Sequence, residues 1–355
     1  VEIQNFSAAM VGFMDHQKHR TPTDDTISRP LARQLLGDEI WLSQSRLQTY
    51  ARCPYSYYGA HILRLRERCE AKFDNLGAGV FLHHVLEQYL RLALDEQNHI
   101  RPLDDDESKE LAEAVITAYI EELCGDISEN GRLLHIFDRL KQITHVLIDS
   151  IQAELRQTSF QVAGLEWDTH GRKTGDPRPM VLSLDMEDPD QVHSLLPTNK
   201  DTQEDLVRLL LGGRIDRVDF YRSEDGETVY VRVIDYKSSK HEFSSKSIAK
   251  DMNIQLLLYL FTLCSPENRS LFADANGQLP KQVLPASAVY ISPDESDREG
   301  AILPCRTGIV LNEAEILDAA NRDTVISYLP SVKRNKDGEF AGKGLHSSEQ
   351  MMELE

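Results

Sequence analysis

Three residues in the middle of the chain have the types and spacing to do chemistry together. Asp216 stands in RIDRVDFY, and Asp235 and Lys237 stand in TVYVRVIDYK, two alternating runs with Asp225-Gly226 between them. That pattern predicts a β-hairpin, with Asp216 near the start of one strand and Asp235-Tyr236-Lys237 at the end of the next. Side chains alternate faces along a strand, so Asp235 and Lys237 share a side while Tyr236 turns away. Paired carboxylates beside an ammonium suit metal-dependent phosphodiester cleavage. The carboxylates hold a hard divalent cation, the cation polarises a phosphoryl oxygen and acidifies a bound water, and the lysine orients or helps deprotonate that water. Taken alone, so short a pattern is more often a cross-strand salt bridge on a surface.

The elements that must position these residues are legible on both sides of the hairpin. Upstream, AGVFLHHVLEQYLRLALDEQ carries Phe81, Leu82, Val85, Leu86, Tyr89, Leu90 and Leu92 as a broad apolar helical stripe, and it also holds His83 and His84. Residues 107–124 and 131–157 repeat the helical pattern. Nearer the start, RPLARQLLGDEI predicts a short helix, and SQSRLQTYARCPYSYY opens with hydroxyl cap candidates before Pro54 interrupts it. Downstream, a helix is predicted from about Ser247 to Leu263 and puts Gln255 and Tyr259 one turn apart on one face. A strand at SAVYIS, a turn region and a helix near 312–327 follow. This predicts an α/β fold, a mixed central sheet flanked by helices. The expected organisation is a leading arm over 1–40, a helical portion over 41–160, a core over 161–330 with an insertion near 164–205, and a flexible tail over 331–355.

In this order, GVFLHHVLE, GGRIDRVD, VIDYKSS and MNIQLLLYLFTL form a set that resembles the RecB-type branch of the PD-(D/E)XK nucleases. With SQSRLQTYARCPYSYY near the front, it is similar to the AddB/RexB family of C-terminal nuclease domains over about Arg29 to Leu329. The resemblance implies a metal-binding histidine at His83, four residues after Gly79, metal carboxylates at Asp216 and Asp235, and a catalytic lysine at Lys237. Spacing alone does not choose between His83 and His84. The resemblance also implies a main-chain ligand at Tyr236 and substrate-positioning roles for Gln255 and Tyr259, although a polar residue and a tyrosine on an apolar helix are as often packing choices. The cofactor it implies is Mg²⁺ or Mn²⁺, with a nitrogen ligand suiting Mn²⁺ somewhat better and little or no activity expected with Ca²⁺. Its implied substrate is single-stranded DNA from unwound duplex ends, the 5′-terminated strand, in double-strand break repair. Its implied partner is an AddA/RexA-type helicase-nuclease subunit.

The five cysteines include no pair at the spacing of a zinc or redox site. In the family resembled, the cysteine matching Cys53 is the first ligand of a 4Fe-4S cluster, and the other three lie in a compact group after the last helix. No such group is present in this sequence, either because it lies in a longer full-length protein or because this member lacks the cluster, so a 4Fe-4S cluster belongs at most to the full-length protein, none is expected in this chain, and Cys53 is expected to be a free thiol, a buried small apolar residue. The chain begins at Val1 without a methionine, which predicts a piece of a longer protein. GRKTG at 171–175 and GKG at 342–344 do not complete a phosphate loop, so no ATPase activity is expected.

The formal charge of −19 over 355 residues argues against a protein that coats nucleic acid or anionic membranes through bulk charge. Most of it, −15, lies in 104–113, 121–129 and 184–205, outside the motifs. Six Lys/Arg between Arg46 and Lys72 interleave with tyrosines, and five lie between Arg232 and Lys250, a composition suited to a single strand's phosphates and bases. The longest apolar run, Leu256–Cys264, is too short for the roughly 20 residues of a membrane span. A cytoplasmic protein is expected. The rival reading from another class is an idle DNA-binding or scaffolding module that docks a partner helicase.

Overall fold

The structure, a computed structural model, describes residues 29–66, 75–124, 131–170, 175–185, 192–194, 206–243, 254–294, 301–322 and 326–354. In chain order come α1 (Arg29–Leu36), β1 (Glu39–Leu42), α2 (Gln44–Arg52), the one-turn α3 (Pro54–Tyr57), α4 (Asn75–Ala93), α5 (Asp105–Cys124) and α6 (Gly131–Gln157). Next are β2 (Gln161–Asp168), β3 (Met180–Asp185), β4 (Val192–Ser194), β5 (Leu206–Leu211), β6 (Arg214–Arg222) and β7 (Thr228–Tyr236). Then follow α7 (Gln255–Cys264), β8 (Gln282–Asp294), β9 (Leu303–Leu311), α8 (Ala314–Ala320), β10 (Val332–Arg334), β11 (Phe340–Gly342), β12 (Leu345–His346) and α9 (Ser348–Met352).

Six strands form the main sheet in the order β12-β9-β8-β7-β6-β2. It is mixed, because β12/β9 and β8/β7 pair parallel and the other neighbours antiparallel. Alternation along β7 sends its residues to two cores. Val231 and Val233 pack with Leu256 and Leu260 of α7, whereas Ile234 and Tyr236 pack with Leu82 and Leu86 of α4 and Leu147 of α6. The broad stripe of α4 is divided in the same way. Its Leu82, Leu86 and Tyr89 side faces the sheet, and its Phe81 and Val85 side meets Ile116 of α5 and Phe137 of α6. Leu92 departs from the expected stripe and is 51% exposed, its buried place taken by Ala93. β1 and the segment between β2 and β6 form a second sheet, β1-β5-β3-β4.

On the face toward α6 lies a buried charge network. Arg217 grips Asp219 with two hydrogen bonds, at 2.8 and 2.7 Å, and reaches Glu154 of α6 at 3.4 Å. Arg232 binds the same two acids, and Arg306 of β9 pairs with Glu154 at 2.9 Å. Burial opposes ionisation of Glu154, but Arg232, Arg306 and Arg217 hold its carboxyl down at about 2.

Several expectations need correction. The predicted tail is not loose: β12 adds to the edge of β9, and Met351 of α9 is 1% exposed in the core. Strands of two or three residues are too short to show an alternation. The turn region after SAVYIS contains β9, hidden in the sequence by Pro304 and Gly308, residues that normally weaken a strand. The helix expected over 312–327 spans only Ala314–Ala320, and beyond it the Asn321 side chain accepts from the Tyr328 N–H at 2.6 Å. The stretch 164–168 belongs to β2 of the main sheet rather than to an insertion, and the helical portion includes β1. Cys53 is a free thiol but is exposed, because its sulfur caps α3 by accepting from the Ser56 N–H. Most of the leading arm and the expected start of the α7 helix at Ser247 lie outside the described residues. Among the described residues no helix is long and apolar enough to cross a membrane.

Candidate active site

β6 and β7 pair antiparallel with Arg217 opposite Ile234, so Asp216 and Asp235 stand at the next register position, side by side at one end of the sheet. Both are buried, Asp216 7% and Asp235 3% exposed. The Tyr236 N–H donates to Asp216 Oδ2 at 2.8 Å, which fixes that carboxylate against the neighbouring strand. Lys237 continues β7 with its N–H donating to the Ile291 carbonyl at 2.9 Å, and its ammonium lies 2.5 Å from Asp235 Oδ2. Tyr236 turns to the opposite face, where its hydroxyl accepts from Arg217.

Two helices complete the site. From α4, His83 Nδ1 approaches Asp216 Oδ1 at 3.1 Å. The neighbouring His84 packs against the Tyr119 ring, 5.0 Å between centroids, and so belongs to the α4–α5 contact. From α7, the Gln255 amide donates to Asp235 Oδ1 at 3.2 Å and to the Tyr259 hydroxyl at 3.5 Å. Gly213 explains the glycine pair before RIDRVD. A Cβ there would lie 2.1 Å from the Tyr259 hydroxyl, so only glycine lets that side chain reach the start of β6.

The electrostatics are those of crowded carboxylates. Burial and the charge of Asp216 lift Asp235 to about 7, against the pull of Lys237. Burial alone would lower His83, yet the hydrogen bond to Asp216 and the charges of Asp216, Asp235 and Glu166 raise it to about 9. Burial pushes the Tyr259 hydroxyl up to about 12, so it stays protonated as a donor. Oxygen donors from Asp216 and Asp235 with an imidazole nitrogen from His83 fit a hard divalent cation. Among the described residues, buried Asp235 Oδ2 has no hydrogen-bond donor beyond the Lys237 ammonium, which leaves it available to such an ion.

All six residues expected at the site therefore meet there, whereas Cys53 sits apart at the head of α3. Of the five basic residues over 232–250, Arg232, Lys237 and Lys240 are among the described residues. Arg232 is buried in the charge network, Lys237 faces Asp235, Lys240 pairs with Asp294 at 3.0 Å, and Lys246 and Lys250 lie outside the described residues. In the other stretch Arg46 is spent on the Trp41 carbonyl, and Tyr50 and Tyr55 are exposed. One residue escapes sequence reasoning. Glu166 of β2 lies with His83 and Asp216 such that one ligand atom from each falls within 4.8 Å of the others. Burial and Asp216 lift its carboxyl to about 7, against Arg214. The alternation in GLEWD marks a strand there, but no local signal ties it to a hairpin strand that begins at Arg214.

Comparison with known proteins shows the family. The B-type subunit of the ATP-dependent helicase/deoxyribonuclease from Thermoanaerobacter sp. (strain X514) is 26% identical over 341 residues, covering 91% of this chain and 26% of that protein. The protein of the same name from Alkaliphilus oremlandii (strain OhILAs) is 30% identical over 251 residues, 70% of this chain and 20% of its own length. That of Clostridium tetani (strain Massachusetts / E88) is 27% identical over 325 residues, 86% and 25%. The chain thus spans about a quarter of the length of the curated relatives it matches. A match to the PD-(D/E)XK nuclease superfamily runs over residues 41–344, taking in α4, α7 and five of the six strands of the main sheet, and this chain belongs to that superfamily.

Proposed function

We propose that this chain is a divalent-cation-dependent nuclease domain that hydrolyses phosphodiester bonds of single-stranded DNA. In this reading it works in the cytoplasm on strands unwound from duplex ends, beside an AddA/RexA-type helicase-nuclease subunit, in double-strand break processing. The observation that carries the reading is the convergence of Asp216, Asp235 and Lys237 at one sheet end beneath His83. DNA as substrate is supported by the names of the relatives, each part of a helicase/deoxyribonuclease.

Asp216 and Asp235 supply oxygen ligands and His83 a nitrogen ligand. When bound, Mg²⁺ or Mn²⁺ polarises the phosphoryl oxygen and lowers the pKa of a water. Lys237 places its ammonium where it can orient that water or take part in removing its proton, and it offsets charge developing on the phosphate. Gln255 fixes Asp235 through one amide N–H, and Tyr259 keeps its protonated hydroxyl beside that amide for contact with substrate. The test is incubation of labelled single-stranded and duplex DNA with Mg²⁺, Mn²⁺, Ca²⁺ or EDTA. Products from the single strand with Mg²⁺ or Mn²⁺ are expected; a strand bound but uncut under every condition would favour the scaffolding reading.

Protonation gives a second expected result. Without a cation, Asp235 and Glu166 titrate at about 7 in the folded chain instead of 3.8 and 4.5. The folded state therefore binds more protons in that window, and stability falls as pH rises through it. His83 acts in the same direction, because its raised value contributes stability that is full below 6.5 and lost as pH rises through about 9. A cation replaces those protons. The rise in Tm on adding Mn²⁺ is expected to be larger at about pH 8 than at about pH 6, and equal shifts in a fluorimetric melt would contradict the site.

A further inference from the structure

Glu166 belongs to none of the motifs on which the superfamily resemblance was read, yet the backbone around it is tightly constrained. Its neighbours Leu165 and Trp167 pair with Arg217 and Ile215, so Glu166 stands opposite Asp216. Asp216 stands beside Asp235 on the next strand. Three carboxylates on β2, β6 and β7 thus form one cross-strand row. Like charges directly opposite one another destabilise a sheet, and nothing about strand formation asks for them here.

The backbone goes out of its way to put Glu166 there. Its φ of 52° lies in the left-handed region that side chains other than glycine adopt at a cost. The register shifts between Val162 and Gly164, an irregularity of the kind that re-aims a side chain. At Gly164 a Cβ would fall 2.1 Å from the Trp167 indole, so glycine there lets the ring fold back across the strand. The outcome is a carboxylate whose side chain is only 10% exposed, grouped with His83 and Asp216 within 4.8 Å. Its ion pair with Arg214, at 3.4 Å, involves a guanidinium that is 68% exposed, and solvent weakens such a pair.

We propose that Glu166 is a third carboxylate ligand of the cation site, holding a divalent ion together with His83 and Asp216. The inference rests on the reading of this site as a cation site and extends it. Hard divalent cations take six or more ligands, mostly oxygen, and a third carboxylate raises both the charge and the ligand number of the site. His83 and Glu166 approach Asp216 from a helix and from the edge strand, so the ion would tie α4 and β2 to the hairpin.

The experiment is direct Mn²⁺ binding by titration calorimetry and electron paramagnetic resonance, on the chain and on the variants Glu166→Gln, Arg214→Ala and Asp216→Asn, with circular dichroism to check folding. Glu166→Gln keeps the shape and removes the charge, and it is expected to weaken Mn²⁺ binding roughly tenfold or more. Arg214→Ala is expected to leave the affinity unchanged within about twofold, as it alters only an exposed ion pair. Wild-type affinity in Glu166→Gln, with binding lost in Asp216→Asn, would overturn the role of Glu166 and leave the cation site standing. Equal losses in Glu166→Gln and Arg214→Ala would overturn it as well, by making Glu166 a structural partner of Arg214. Absence of Mn²⁺ binding by the unmodified chain would remove the site itself and the inference with it. Should Glu166→Gln fail to fold, Glu166→Asp, which keeps the charge and withdraws the oxygens, makes the same decision through the same change in affinity.

Discussion

Replacing Lys237 by alanine is expected to lower DNA cleavage by roughly three orders of magnitude while leaving the fold intact. The side chain is 30% exposed, extends from the end of β7, pairs with Asp235 and lies 5.4 Å from the centroid of the Tyr290 ring. Its removal therefore costs chemistry and little packing. Asp235→Asn is expected to abolish cleavage to a similar extent with the opposite sign for stability. Asp235 is a buried carboxylate whose ionisation is opposed by burial and by Asp216. Neutralising it removes that cost, so the variant should melt no lower than the unmodified chain in cation-free buffer at about pH 8. A residue that costs stability is expected at a working site. Initial rates on a labelled strand, read beside thermal melts, check both halves. Undiminished cleavage in either variant would contradict the assignment.

The second large effect is structural. Asp219 is fully buried and accepts from both Arg217 and Arg232. Asp219→Ala would leave Arg217 and Arg232 with Glu154, which Arg306 also holds, as their remaining carboxylate partner, and breaking a buried network by removing one partner typically costs about 3–5 kcal/mol. Urea unfolding measures this, and a loss below about 1 kcal/mol would show that the network relaxes or hydrates. The acid limb of the same network has a definite sign. Glu154 is depressed from 4.5 to about 2, so its contribution is present above 4.5 and is lost as pH falls toward 2. Of the charged residues in RIDRVD, then, Asp216 serves the site on one face, and Arg217 with Asp219 serves the fold on the other.

That division marks how far the sequence could be read. Alternation told that Asp235 and Lys237 share a side, and helical spacing told that Gln255 and Tyr259 do; the structure joins both pairs through the Gln255 amide. The choice of His83 over His84, which spacing left open, follows in the structure from the rotation of α4, which turns His83 toward Asp216 and His84 toward Tyr119. Glu166 was illegible because its aim depends on a left-handed backbone and on pairing with a strand some fifty residues later, and neither leaves a local pattern. Arg232 looked like a surface cation for the same reason. Its burial is decided by Glu154 on α6, a contact that no window of the sequence contains. β12 and α9 were misjudged because their order comes from the edge of β9, a strand that Pro304 and Gly308 disguise.

The cluster at the end of β6 and β7 is expected to cut DNA only with a divalent cation. The most direct test is single-turnover cleavage of a labelled single strand by the chain after treatment with EDTA, followed by addition of Mn²⁺, Mg²⁺ or Ca²⁺. No products are expected in EDTA, full recovery with Mn²⁺ or Mg²⁺, and little or none with Ca²⁺. Cleavage that persists in EDTA, or that fails to return with either Mn²⁺ or Mg²⁺, would contradict that expectation.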